Sequence, residues 1–342
     1  MGSTVKYDVN IDLANETKKE MAKTLETGDK KILNKMTDFA SLYDIDLSGY
    51  KDPVLVLKTE EPGSKQLLAA ENNKLDGVTY DMINHLINDC ICMGATPLTV
   101  QDAIICGKIN KNDINKIVTA AAAACKEQGC ILTGGETSEQ PGMLPKNRYI
   151  LTSSIVGIVE KSKIIDGSKI QEGDVVLSLA SSGIHSNGYT LIRTLMDKYP
   201  EILEEKIDGQ SFMDTILIPH RCYYSKIKDL FEKEVLLGIA HITGGGICEN
   251  LDRILPNNLD AEIDVSQYNI LDIFKVIKRY SNVSDAEMIR TYNLGVGMVF
   301  VVKTENAKYV KEFLETKDIG CKEIGKIIKG NKQVQLRGTL NW

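Results

Sequence analysis

The sequence predicts a mixed α/β protein of two domains, and three observations carry that expectation. The chain has 342 residues, more than one hydrophobic core usually organises. Apolar runs of strand length alternate with segments of helical period in both halves. Two turn clusters, Asp166-Gly167-Ser168 and Glu172-Gly173-Asp174, separate those halves and place the expected domains at 1–165 and 170–342.

The elements follow in order. Residues 5–50 are polar and helix-prone, with a mixed-charge amphipathic pattern from Lys18 to Met36. A strand is expected over 53–59, entered through Pro53, a residue tolerated at a strand's first position. Over Tyr80–Met93, Ile83, Leu86, Ile87, Cys90 and Ile91 recur at three- and four-residue steps, which predicts a helix. Pro97–Cys106 returns to a strand, and the alanine-rich segment Asp113–Gln128 is a helix stopped by Gly129. Cys130-Ile131-Leu132 is a short strand meeting Gly134-Gly135, and Arg148–Val159 is a longer one. The second half restarts with a buried strand, Val175–Ala180, which feeds a polar loop and a helix from Thr190. Further on, a helix is expected over 247–255, a strand over 294–302, a helix over 307–315, and a terminal hairpin turning near Gly330-Asn331.

Composition excludes several function classes. A 43% hydrophobic and 26% charged chain suits a soluble globular protein. Its net charge of −6, without a basic block, argues against broad nucleic-acid binding, although a nest of backbone amides can still hold a small anion. No apolar run approaches the roughly 18 residues of a membrane helix, and no signal-peptide pattern opens the chain. Met1-Gly2-Ser3 is followed by Lys6 where a myristoylation start wants a hydroxyl. The eight cysteines form no Cys-x-x-Cys pair and read as reduced core residues of a cytoplasmic protein.

The chemistry concentrates in four glycine-bearing segments. The most informative is Ser181-Ser182-Gly183-Ile184-His185-Ser186-Asn187-Gly188-Tyr189, where a strand delivers N–H groups, hydroxyls and an imidazole to the turn into a helix. That layout suits a phosphate or a developing negative charge; the alternative is a helix cap built from Ser and Asn. Pro62-Gly63-Ser64-Lys65, Gly134-Gly135-Glu136-Thr137 and Thr243-Gly244-Gly245-Gly246 accompany it. Glycine lets backbone approach a ligand closely, and four such loops, two per half, point to a polyanion held between domains. Carboxylates sit nearby: Glu60 and Glu61 end the first strand, Asp89 and Asp102 interrupt apolar elements, and Glu136 follows the double glycine. A buried carboxylate needs a basic partner or a helix terminus; the functional alternative is a hard-oxygen Mg²⁺ site serving nucleotide phosphates. Among four histidines, His185 is the best acid/base candidate. His85 reads as structural, and His220 and His241 stay open between packing and ligand roles.

These motifs carry a resemblance. Gly134–Met143, Val156–Lys169, Leu179–Tyr189, Ala240–Gly246 and Glu287–Met298, in that order along the chain, resemble the phosphoribosylformylglycinamidine cyclo-ligase (aminoimidazole ribonucleotide synthetase) family. The resemblance implies ATP-dependent ring closure of formylglycinamidine ribonucleotide in purine synthesis. It also implies a two-domain α/β subunit that dimerises through a β-barrel shared by the N-terminal halves. It places Mg²⁺ at Glu60, Asp89 and Glu136, and ATP at Ser64, Lys65, Asp102, Gly134, Gly135, Glu136 and Thr137. Substrate would meet Ser182, Gly183, His185, Ser186 and Asn187, together with Thr243, Gly244, Gly245 and Gly246, with His185 and Lys65 catalytic. The chain departs from the family twice. Glu60-Glu61-Pro62-Gly63-Ser64-Lys65 stands where Asp-Gly-Val-Gly-Thr-Lys is usual, and Met36–Leu42 replaces a glycine-rich segment. The alternatives are another ATP-using relative, such as a small-molecule kinase or selenophosphate-type synthetase, or a nucleotide-binding relative without catalysis.

Overall fold

In the computed structural model the described residues are 9–26, 28–35 and 38–342, so Met1-Gly2-Ser3, Lys6 and Met36-Thr37 lie outside them. Helix α1 (Ile11–Leu25) opens the first half, with the Asn10 side chain accepting the Leu13 N–H as its N-cap. Then come β1 (Pro53–Glu60), α2 (Lys65–Glu71), α3 (Leu75–Ile91), β2 (Thr96–Cys106), α4 (Lys111–Glu127), β3 (Ile131–Glu139) and β4 (Tyr149–Glu160). The four strands form one sheet in the order β1-β4-β2-β3, antiparallel except between β2 and β3. Helices α3 and α4 cover one face, where Val100, Ile104, Leu151 and Ile155 are buried. The other face is open: Leu55 and Leu57 on β1 are 55% and 70% exposed.

The second half comprises β5 (Val175–Ala180), α5 (Tyr189–Lys198), a two-stranded ribbon of β6 (Lys206–Ile207) and β7 (Gln210–Ser211), α6 (Phe212–Ile216), α7 (Tyr224–Ile227), β8 (Leu236–His241) and α8 (Gly246–Leu251). It continues with β9 (Leu259–Asp264), α9 (Asp272–Ser281), α10 (Asp285–Thr291), β10 (Val296–Val302), α11 (Thr304–Thr316), β11 (Cys321–Lys329) and β12 (Val334–Arg337). Its six-stranded sheet has the order β12-β9-β11-β5-β10-β8. Strands β8 and β10 are buried at every position, so both faces are covered, and this is why β10 is an unbroken apolar run and β8 is apolar up to His241.

Two sequence expectations are corrected. The chain end is not a hairpin: β9 lies between β11 and β12, and β12 runs parallel to it. The Asp260 carboxylate on β9 accepts the Asn331 and Gln333 N–H groups, which ties the connection across the end of β9. The strand expected over 130–132 likewise does not stop at a Gly134-Gly135 loop: both glycines are part of β3, beside a register shift opposite Val100–Asp102. A side chain at Gly135 would overlap the Asp102 carboxylate, so the carboxylate takes the space that a Cβ would fill.

Candidate active site

Helix α3 carries two faces. Ile83, Leu86, Ile87, Cys90 and Ile91 fill the core, while Asp81, Asn84, His85, Asn88 and Asp89 form a polar stripe at helical spacing. That stripe binds the backbone of 218–223 in the second half. Asp81 accepts the His220 N–H (2.7 Å), and Asn84 donates to the His220 carbonyl (2.7 Å). Asn88 donates to the Arg221 carbonyl (2.8 Å) and accepts the Tyr223 N–H (3.0 Å). The two halves are thus joined by satisfied buried polar groups, which fix register more sharply than apolar contact does.

Lys65 belongs to this junction. It is fully buried, and its ammonium donates to Asp81 (2.8 Å), the Ile218 carbonyl (2.7 Å) and the His185 carbonyl (3.2 Å), using all three N–H donors. Burial works against both charges, lowering the Lys65 pKa and raising that of Asp81, while the ion pair opposes both shifts. With all three N–H groups engaged, the Lys65 ammonium ties α2 to α3 and to the second half of the chain.

The four histidines of the chain converge on one spot. His241 Nδ1 lies 2.8 Å from Asp89 Oδ1, its Nε2 is 2.8 Å from His220 Nε2, and His220 Nδ1 is 3.1 Å from the Ser186 hydroxyl. Ser186 also lies 3.3 Å from His85 Nδ1, and His185 stacks on His220 at 3.8 Å. With neutral rings one direction satisfies every group. His241 donates to Asp89, His220 to His241, Ser186 to His220, and His85 to Ser186. Burial first, then the neighbouring His241, hold His85 down to about 4. Burial raises the pKa of Asp89, but the His241 N–H and the His241, His85 and Lys58 charges outweigh it and keep the carboxylate well below its ordinary range.

His185 has φ +66°, a left-handed conformation costly for a residue with a Cβ. Its Nε2 accepts the Ser182 N–H at 3.2 Å, while Nδ1 is buried without a partner. At 1% exposure the ring forms the floor of the loop. Asn293, which sequence reasoning passed over, braces this loop by donating to the Gly183 and Ile184 carbonyls and accepting the Ser181 hydroxyl. Its signal was a lone Asn beside the glycine-bearing strand 294–302.

The 181–189 and 243–246 loops meet. Gly244 packs against the Asn187 side chain, and Gly63 faces the Ser186 carbonyl, so three of the four glycine segments adjoin. The second loop is held by Asn250, which donates to the Gly244 and Gly246 carbonyls. Gly245 is the αL N-cap of α8, and Gly246, with φ +61°, lies so close to the Ile289 carbonyl that only glycine fits. Thr243, Gly244, Ser182 and Asn187 keep solvent access.

The fourth segment lies apart, in a groove where Thr59, Gln101, Asp102, Gly134, Gly135 and Glu136 meet. Strand register sets Glu60, Ser153 and Asp102 side by side across β1, β4 and β2. Asp102 Oδ2 and the Ser153 hydroxyl are buried without partners, and burial pushes the Asp102 carboxyl up to about 7. An orphaned carboxylate oxygen fits a hard cation. Glu136 is exposed in the same groove and accepts the Thr137 N–H, whereas Thr137 itself turns its hydroxyl to Met21. The expected Mg²⁺ trio is divided. Glu60 and Asp89 instead share the Lys58 ammonium, at 3.1 and 3.0 Å, and two imidazoles flank Asp89, a donor set that does not suit Mg²⁺.

Comparison with known proteins agrees with this architecture. The AIR synthase related protein N-terminal domain matches residues 38–159, and the C-terminal domain of the same family matches 171–337. A phosphoribosylformylglycinamidine cyclo-ligase of Streptococcus thermophilus is 40% identical over 329 residues, covering 96% of this chain and 95% of that relative. One from Streptococcus pyogenes serotype M1 has the same identity and coverage. Among solved structures, thiamine-monophosphate kinase from Stenotrophomonas maltophilia superposes with a TM-score of 0.70 at 15% identity, over 97% of this chain and 98% of that one. The hydrogenase maturation protein HypE in complex with ATP gives 0.69 at 12% identity, over 95% and 91%. At such identities these two share the fold alone.

Proposed function

The chain belongs to the AIR synthase related family, and from that premise we propose that it is a phosphoribosylformylglycinamidine cyclo-ligase. The carrying observation is 40% identity across nearly the whole of both chains. In this reading ATP phosphorylates the formyl oxygen of formylglycinamidine ribonucleotide. The amidine nitrogen then attacks that carbon and phosphate leaves, giving aminoimidazole ribonucleotide, ADP and phosphate. Phosphoryl transfer asks for positioning and charge neutralisation more than for covalent catalysis, and the structure offers positioning.

Nucleotide is assigned to the groove of Asp102, Gly134, Gly135 and Glu136, where glycine backbone allows close approach. Asp102, with its free oxygen, and Glu136 would hold Mg²⁺, which supplies neutralisation of phosphate charge. Substrate is assigned to the rim of Ser182, Asn187, Thr243 and Gly244, where the Asn187 amide and the Gly244 N–H suit an anion while the Ser182 and Thr243 hydroxyls, donating to the Pro219 carbonyl and to Asn250, shape the rim. His185 and Lys65 enter as positioning residues: Lys65 anchors the His185 carbonyl, and the His185 ring holds the Ser182 N–H. The same reading places the domain boundary between 165 and 170, the protein in the cytoplasm where its free thiols stay reduced, and a second copy on the open face bearing Leu55 and Leu57.

The test is ADP release from ATP with formylglycinamidine ribonucleotide as sole acceptor, together with detection of the imidazole product. Substrate-dependent formation of both is expected. ADP release without an imidazole product would point to a kinase, and no substrate-dependent release would remove the assignment.

A further inference from the structure

We propose that His85, Asp89 and His241, with Glu60, do not fit the Mg²⁺ that the resemblance places at Glu60 and Asp89, and form instead a site for a borderline divalent transition-metal ion of the Zn²⁺ class. The ligand atoms of His85, Asp89 and His241 all lie within 4.8 Å of one another. His241 Nδ1 is 2.8 Å from Asp89 Oδ1, and His85 Nε2 is 3.8 Å from both Asp89 Oδ2 and Glu60 Oε2. Ligands about 2.0–2.1 Å from a tetrahedral metal stand roughly 3.3 Å apart. The observed separations straddle that figure, so small side-chain rotations close the set. Two imidazoles with carboxylates suit Zn²⁺, Co²⁺ or Ni²⁺ over Mg²⁺, which prefers oxygen throughout.

The groups behind the ligands are already arranged for this. The nitrogens facing away from the site, His241 Nε2 and His85 Nδ1, are joined through His220 and Ser186. Ligation at His241 Nδ1 moves that ring's proton to Nε2, where it donates to His220 Nε2. His220 then carries its proton on Nδ1 and donates to Ser186, whose oxygen accepts from His85 as well. Every ring stays neutral, the proton count is unchanged, and each ligating imidazole keeps an outer partner, the arrangement that orients metal-bound histidine. A cation also has a place here. The Lys58 ammonium bridges Asp89 and Glu60, and with its side chain 39% exposed it can swing into solvent. Asp89 and Glu60 retain 21% and 20% side-chain exposure, which gives an ion a way in.

The experiment uses the full-length protein, stripped with a chelator and titrated with Co²⁺ alone, without nucleotide or substrate. One equivalent is expected to bind, with visible ligand-field absorption of a nitrogen–oxygen site, and a large excess of Mg²⁺ leaves the spectrum unchanged. His85→Gln and His241→Gln each abolish the spectrum. His220→Asn, which alters an outer partner only, weakens binding by about 10- to 100-fold. Lys58→Met tightens it by roughly fivefold, the equivalent of losing an exposed competing ion pair. His85→Gln and Lys58→Met keep the inference testable should His241→Gln not fold. No uptake by the wild type, uptake unchanged in folded His85→Gln, or displacement by Mg²⁺ overturns the site.

Discussion

Asp102 illustrates how one residue's environment decides its chemistry. It occupies a strand position whose neighbours, Val100 and Ile104, are fully buried, and one of its oxygens has no partner. In metal-free protein its carboxyl is raised from 3.8 to about 7 by burial. A folded-state pKa above the unfolded one means stability is fully present below about 4 and is lost as pH rises through 7. The shift caps that loss at roughly 4 kcal/mol, and relaxation of a group at the groove edge reduces it to about 1–3 kcal/mol. With a chelator present, Asp102→Asn is therefore expected to unfold at a higher temperature than wild type at pH 8 and at the same temperature at pH 4. The same variant should weaken Mg²⁺-dependent ATP binding. Equal melting differences at both pH values would show that Asp102 is not buried as an acid.

Among the elements, α3 decides how the two halves meet. Its apolar face is legible as recurrence at three- and four-residue steps, and the polar stripe shares that period. What the stripe binds was not legible, because backbone groups of 218–223 carry no side-chain signature. Asn88→Ala removes one acceptor and one donor and leaves the buried Tyr223 N–H and Arg221 carbonyl unpaired. Each orphaned group costs about 1–3 kcal/mol, so a loss of roughly 2–4 kcal/mol is expected by chemical denaturation. A loss below about 1 kcal/mol, within the range of ordinary surface substitutions, would mean that the stripe does not hold the halves together. The Gly246 corner acts similarly: it sets where α8 starts, and hence where Thr243 and Gly244 stand.

For the whole molecule, the open sheet face is the unfinished surface. Strand β1 lies at the sheet edge and presents Leu55 and Leu57 outward, with Ile150 exposed on neighbouring β4. Exposed apolar residues on an edge strand invite pairing with another chain, and Lys58 and Glu60 alternate with them toward the domain junction. Leu55→Asp with Leu57→Asp is expected to convert a dimer to a monomer in sedimentation analysis while leaving the melting transition cooperative. A monomeric wild type would remove this face as the contact.

The sequence alone determined where β1, α3, β2, α4, β4, β5, α5, β10 and α11 lie, the two-part division and the motifs whose spacing carries the family resemblance. Those features are local: periodicity, turn chemistry and short glycine segments are written in neighbouring residues. Tertiary structure decided which groups share a site. His85, His185, His220 and His241 lie on four separated segments and meet only because α3, the β5–α5 loop, residues 218–223 and β8 converge. It also decided that Lys65 is buried in an ion pair and that β12 pairs with β9 instead of closing a hairpin. The reason is the same in each case. Burial and partnership depend on what packs opposite a residue, and those partners lie tens to hundreds of positions away: Lys65 with Asp81 and Ile218, Asp89 with His241.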